Sequence, residues 1–336
     1  MTIAAREIHL KSRPEGLPGP GNFEVVSRTL PEPAAGQVLI RTTWMSVDPY
    51  MRGRMRDRPS YIAPFQIGAA LEGAAVGVVE RSADDRFKPG DFVSHFSGWR
   101  DYALADASTV SKIDLSAAPA PVWLGPLGVP GFTAYVGLGR IGELKAGETI
   151  FISAAAGAVG SMAVQIAKAK GARVIASAGS DAKAAWVRNE LGADVAINYR
   201  TANDLAAALA KAAPDGIDVY FDNVGGVHLD AALANAKNYA RFVICGMIAG
   251  YNDEGVADAA RNLARIVINR LSLRGYIVLD HYDLLPEFTA EMTKWIAEGR
   301  IKWRDTVVEG LDNAPNAFLG LFSGDNVGKM LVKLGD

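Results

Sequence analysis

IFISAAAGAVGSMAVQIAKAK, residues 150–170, carries no charge before Lys168, and the fold turns on how it is read. Its uncharged part is long enough to suggest a membrane span. The texture says otherwise. β-Branched and aromatic residues alternate at Ile150, Phe151 and Ile152, small residues and Gly157 follow, and Val159, Met162, Ala163 and Ile166 then recur at helical spacing. No interfacial anchors flank the segment. It reads as strand, tight turn and helix, and no membrane span is expected.

Outward from this unit the pattern repeats. TIFISA (149–154), RVIASA (173–178), DVAIN (194–198), DVYFDNV (218–224), RFVICG (241–246) and LRGYIVL (273–279) read as strands separated by helical stretches. Such alternation predicts an α/β fold, a doubly wound parallel sheet covered on both faces. The first third is different. EVVSR, QVLIRTTW, LEGAAVGVVE, DFVSHF and DYALA are short strands divided by Pro/Gly/Asp turns, which predicts a small β-barrel or sandwich. After a helix near Pro286–Gly299, DTVVEG, APNAFLGLF and KMLVKL return to strand, helix, strand. The expected division is 1–128 for the β domain, 129–300 for the parallel-sheet domain, and 301–336 for a return to the β domain.

Composition narrows the class. The chain has 336 residues, enough for two cores. A net charge of -2 gives no global attraction to nucleic acid or to an anionic membrane. The single cysteine, Cys245, rules out an intramolecular disulfide and a cysteine-rich zinc site. The opening MTIAAREIHLKSR lacks an apolar signal-peptide core, so a cytoplasmic location is expected.

Within the opening stretch, Ala155-Ala156-Gly157-Ala158-Val159-Gly160 aligns with G-x-G-x-x-G, Ala155 taking the first place. The second glycine lets backbone approach a pyrophosphate, and the third lets helix and strand pack closely. The helix N-terminus adds free N–H groups and a positive dipole end. A dinucleotide site follows. An NAD site usually carries an acid at the end of the next strand. Here Ser177-Ala178-Gly179-Ser180 has none, Asp181 comes next, and Lys183 supplies a cation for a 2′-phosphate. NADP(H) is the expected cofactor. The bland alternatives are a solvated first-turn lysine at 183 and a helix-leading role for Asp181.

Beyond these, SVDPYMRGRM (46–55), GVPGFTAYVGL (128–138), AGSDAK (178–183), NYR (198–200), YFDNVGG (220–226), CGMIAGYN (245–252) and NVGKMLV (326–332) recur as a set. With them the chain resembles, nearly end to end, the zinc-free prostaglandin reductase (leukotriene B4 dehydrogenase-like) branch of the medium-chain dehydrogenases/reductases. Curcumin-reductase-like enzymes and plant double-bond reductases belong to the same branch. The resemblance implies a GroES-like β-barrel domain beside a Rossmann domain. It places Gly157, Ala158, Val159 and Gly160 on the pyrophosphate, Lys183 at the 2′-phosphate and Tyr199 against the adenosine, with Ser180 also among the cofactor-binding residues. Asn223 would reach the nicotinamide-side ribose. Cys245, Gly246 and Tyr251 would wrap the nicotinamide half, with Tyr276, Ile277 and Val278 beside it, Pro130 and Thr133 nearby, and Asn326 arriving from the C-terminal return. Several have plainer readings: Tyr199 and Tyr276 as core aromatics, Asn223 as a turn residue, and Cys245 as a small buried hydrophobe.

The region where zinc alcohol dehydrogenases carry a His-Glu pair reads Ala70-Leu71-Glu72-Gly73, and His9, His95, His228 and His281 lack metal-ligand spacing. No metal is expected. Without a Lewis acid, reduction of a C=C bond conjugated to a carbonyl is the less demanding chemistry, because the enolate charge can be held by hydrogen bonds. The expected substrate is an enone or enal. Tyr251 is the candidate catalytic residue, donating to the carbonyl oxygen or relaying a proton to the α-carbon; the alternative is that it only shapes the pocket. Tyr50 is the candidate substrate-binding residue, with a structural role as its alternative. A zinc-free quinone reductase and a non-catalytic NADPH-binding protein remain competing functions. GYIVL (275–279) is read as an edge strand that joins two copies into a homodimer.

Overall fold

The computed structural model describes residues 2–253 and 260–335. These divide into two units, residues 1–125 with 305–336, and residues 126–304.

In the first unit β1 (Ile3–Leu10) and β2 (Phe23–Leu30) form an antiparallel pair. β3 (Gln37–Ser46), β4 (Ala75–Ser82), β5 (Phe92–His95), β6 (Tyr102–Asp106) and β7 (Ser111–Lys112) build the main sheet, and a short helix, α1 (Met51–Arg54), follows β3. Its core contains Phe23 stacked on Trp99 at 6.1 Å between ring centroids.

The second unit opens with α2 (Val129–Val136) and then alternates: β8 (Thr149–Ile152), α3 (Ala158–Ala169), β9 (Arg173–Ala178), α4 (Asp181–Asn189), β10 (Val195–Asn198), α5 (Leu205–Ala212), β11 (Ile217–Asp222), α6 (Gly226–Ala234), β12 (Ala236–Ile244), α7 (Ala264–Ile268), β13 (Ser272–Gly275) and α8 (Leu285–Ala297). All neighbouring strands run parallel, in the order β10-β9-β8-β11-β12-β13. This is the doubly wound order in which the chain reverses its direction of travel between the first and fourth strands, here β8 and β11. Phe151, Tyr220 and Phe242 lie fully buried on adjacent strands, with Phe151 stacked on Tyr220 at 5.3 Å. Helices start where polar caps allow: Ser180 Oγ accepts from the Lys183 N–H at α4, and Asp204 from the Ala207 N–H at α5.

The tail then supplies β14 (Asp305–Glu309), α9 (Ala314–Ser323) and β15 (Lys329–Lys333) to the first unit. β15 lies between β14 and β3, parallel to one and antiparallel to the other. Phe318 of α9 meets the rings of Phe23 and Trp99 edge-on.

The last parallel strand departs from the sequence reading. It spans 272–275 and stops at Gly275, so Tyr276 to Leu279 are not strand. Tyr276 turns toward α2, where its hydroxyl donates to the Thr133 carbonyl at 2.8 Å. No helix among the described residues is long and apolar enough to cross a membrane.

Candidate cofactor and active site

Three chain segments converge at the C-terminal ends of the central strands. The first is the turn after β8. Ala154 adopts φ +47°, the Gly157 N–H donates to the Ala154 carbonyl at 2.9 Å, and Gly157 then caps α3 with no side chain. The N–H groups of Ala158, Val159 and Gly160 in the first helical turn therefore have no intrahelical partner and face outward. A Cβ on Gly160 would overlap the Ala154 carbonyl and come within 2.8 Å of the Ala155 Cα, so only glycine lets helix and turn pack this closely. At Gly157 a Cβ would lie 3.3 Å from the Ala154 oxygen. This cradle of bare backbone at a helix N-terminus fits a pyrophosphate.

The second segment is the end of β9. Gly179 has no side chain, and a Cβ there would meet the Tyr199 hydroxyl at 3.2 Å and Arg200 Nε at 3.6 Å. Ser180 and Lys183 follow at the start of α4. Asp181 is not idle: its carboxylate accepts from Asn198 Nδ2 at 2.8 Å. The Tyr199 ring meets His228 edge-to-face at 4.7 Å. His228 is buried, and burial pushes its pKa down to about 4, so it is neutral.

The third segment is the junction of β11 and β12. Asp222 is fully buried at the end of β11. Its Oδ1 accepts from the Tyr220 hydroxyl at 2.6 Å, the Gly225 N–H at 2.8 Å, the Val224 N–H at 2.9 Å and the Ser153 hydroxyl at 3.2 Å. Burial raises its pKa, and these donors pull it back. The Asp222 carbonyl accepts the N–H groups of Cys245 and Gly246. Asn223 is tied through its N–H to Ser153 Oγ and through Nδ2 to the Ser153 carbonyl, each at 2.8 Å.

Tyr251 follows a 3-10 turn at 248–250, and its hydroxyl oxygen accepts the Met247 N–H at 3.4 Å. That contact uses a lone pair and leaves the phenolic hydrogen free to donate elsewhere. Burial raises the Tyr251 pKa, which keeps the group protonated. Burial also pushes the Cys245 thiol up to about 12, so it is no nucleophile at neutral pH. Tyr276 and Thr133 meet through the bond already described; Pro130 lies in the first turn of the same helix, and Ile277 and Val278 are half-buried just beyond Tyr276.

Tyr50 and Asn326 belong to the other unit. Burial raises the Tyr50 pKa, Asp48 adding to the effect. Asn326 Nδ2 donates to the Gly328 carbonyl at 2.8 Å and shapes the turn before β15. In the same unit Glu72, the carboxylate left in the His-Glu region, bonds to Arg54 Nη2 at 2.9 Å. Sequence reasoning overlooked Ser153, Asp222 and Arg200. All three lie inside motifs it had quoted, and strand-end position was the available signal.

Residues 6–113 match the family described as the N-terminal domain of oxidoreductase, and residues 158–298 match zinc-binding dehydrogenase. The chain is 45% identical to a putative NADP-dependent oxidoreductase, YfmJ, of Bacillus subtilis (strain 168), over 100% of this chain and 99% of that protein. It is 41% identical to the NADPH-dependent curcumin reductase of Escherichia coli (strain K12), over 97% and 95%. Identity to the NADP(+)-dependent 2-alkenal reductase of Nicotiana tabacum is 39%, over 98% and 97%. Among solved structures, CurA of Vibrio vulnificus in complex with NADPH superposes with a TM-score of 0.93 at 41% identity, over 98% of this chain and 99% of that one.

Proposed function

The chain belongs to the zinc-free branch of the medium-chain dehydrogenases/reductases and is an NADP-dependent oxidoreductase, and from that premise we propose that it reduces the C=C bond of α,β-unsaturated ketones and aldehydes. Bound NADPH supplies a hydride, which in a conjugated carbonyl is received at the β-carbon. The chain's own residues do the rest. The first-turn amides of α3 and the Lys183 ammonium hold the phosphates. Asn223, fixed on Ser153, presents its remaining amide oxygen to the ribose beside the nicotinamide. Tyr251 donates its phenolic hydrogen to the substrate carbonyl oxygen as negative charge develops there.

One observation carries this reading: the Tyr251 hydroxyl accepts from Met247, so it is oriented and still has its proton to give. Glu72 supports it too, since its ion pair with Arg54 commits the carboxylate to a cation already present. The test follows NADPH oxidation with enals, enones and quinones side by side, using cofactor deuterated at the transferred position. Label at the β-carbon of a saturated ketone product is expected. Turnover of quinones alone would replace the proposal with the quinone reductase reading, and turnover of nothing would leave a binding protein.

We also propose a cytoplasmic homodimer joined at β13. Among the described residues that strand pairs with β12 alone, and all four of its residues are exposed. Unpaired edge strands invite pairing with a second copy. Light scattering at micromolar concentration should give twice the mass of the chain.

A further inference from the structure

At the end of β9 the charges do not balance through the residues so far assigned. Asp181 contributes one negative charge and Lys183 one positive, which together leave nothing for an anion. His228 behind Tyr199 is neutral and adds none. Arg200 brings a further positive charge to this spot. Its Nε stands 3.6 Å from the position a Gly179 Cβ would take, with the Tyr199 hydroxyl at 3.2 Å from the same point. The two groups thus flank a stretch of backbone kept bare by Gly179.

Asn198 sets this arrangement from both ends of one amide. Its Nδ2 donates to Asp181 Oδ1 at 2.8 Å, and its Oδ1 accepts the Arg200 N–H at 3.1 Å. The acid is held on Asn198, and the backbone carrying the arginine is fixed by the same side chain. A guanidinium offers several donors in a planar fork suited to phosphate oxygens.

We propose that Arg200 is a second cation for the 2′-phosphate of NADPH and a determinant of the choice of NADPH over NADH. The inference rests on residues 180–183 being the 2′-phosphate end of the site. Arg200 makes that end net positive, and Lys183 alone does not.

The test is titration calorimetry with adenosine 2′,5′-bisphosphate and adenosine 5′-monophosphate on the wild type, Arg200→Gln, Arg200→Lys and Lys183→Gln, each checked for unchanged thermal unfolding. Arg200→Gln should weaken the bisphosphate about ten-fold and leave the monophosphate unchanged, as expected for one lost charged hydrogen bond. Arg200→Lys should recover part of the loss, and steady-state KM should rise for NADPH and not for NADH. If Arg200→Gln changes neither ligand while Lys183→Gln is selective, the inference fails and the site reading stands. Equal weakening of both ligands by Arg200→Gln overturns the inference by making the residue structural. A wild type with no preference for the bisphosphate overturns the site reading, and the inference with it.

Discussion

The side-chain amide of Asn223 donates to the backbone carbonyl of Ser153 across 2.8 Å, and the Ser153 hydroxyl takes the Asn223 N–H at the same distance. This double tie joins the ends of β8 and β11, the two strands between which the sheet changes direction. It converts a topological gap into a fixed edge, where a ligand can be held without reorganisation.

Ser153→Ala removes the hydroxyl from both Asn223 and Asp222: the half-buried Asn223 N–H loses its partner, while Asp222 Oδ1 keeps three of its four donors. A loss of about 1–3 kcal/mol in urea unfolding is expected. The NADPH KM should rise with kcat little changed, because the ribose contact is misplaced and the proton donor is not.

Tyr251→Phe should give the opposite split. Removing one donor from the developing charge on the carbonyl oxygen should lower kcat on an enone by about ten-fold or more. NADPH binding, followed by fluorescence titration, should stay nearly intact. Full kcat in this variant would mean that another donor holds the carbonyl.

Gly157→Ala and Gly160→Ala should fail in different ways. The added methyl of Gly160→Ala overlaps the Ala154 carbonyl, so a stability loss of about 1–3 kcal/mol is expected. At Gly157 the methyl meets a single tight contact, 3.3 Å from the Ala154 carbonyl oxygen, which a shift of a few tenths of an ångström relieves. That variant should melt close to wild type yet bind NADPH poorly, since the methyl stands where pyrophosphate would approach.

The parallel sheet was legible because its strands are apolar runs closed by small residues or asparagine, as in Ile217–Asp222 followed by Asn223. β1 was not. Ile8 and Leu10 enter the apolar core, but Glu7 and His9 on the opposite face are buried too, bonded to each other at 2.8 Å, so polar residues are buried where alternation would mark the solvent side. The end of β13 was misread for a related reason. Tyr276, Ile277 and Val278 have strong strand propensity, but the hydrogen bond from Tyr276 to Thr133 draws the chain off the sheet. At the site, the bare turn at Gly157 and Gly160 could be read from spacing. The ties of Ser153 to Asp222 and Asn223 could not, because strand-end position marks each residue but not its partner about seventy residues along the chain.

Asp305 gives a pH prediction. Burial raises its pKa from 3.8 to about 6, with Lys329 opposing the shift. A carboxyl whose pKa is raised on folding costs nothing below pH 4, where both states are protonated, and costs most above pH 6, where both are ionised. Asp305 is only partly buried, so solvent screens much of this cost, and Asp305→Asn should stabilise the protein by on the order of 1–2 kcal/mol at pH 7.5 and by almost nothing at pH 3.5. Urea unfolding of both forms at the two pH values checks the sign. A gain of equal size at both would assign the effect to something other than ionisation.

The first unit is written in two instalments, with the whole parallel-sheet unit between them. On the ribosome β3 emerges early, but its neighbour β15 comes near the very end of the chain, and Phe23 and Trp99 must wait for Phe318 before their core can close. The inserted unit has every strand it needs by Gly275 and can fold first. Until β15 has emerged, the nascent β unit leaves one side of β3 unpaired along Trp44–Ser46, an open edge of the kind that invites pairing with another chain.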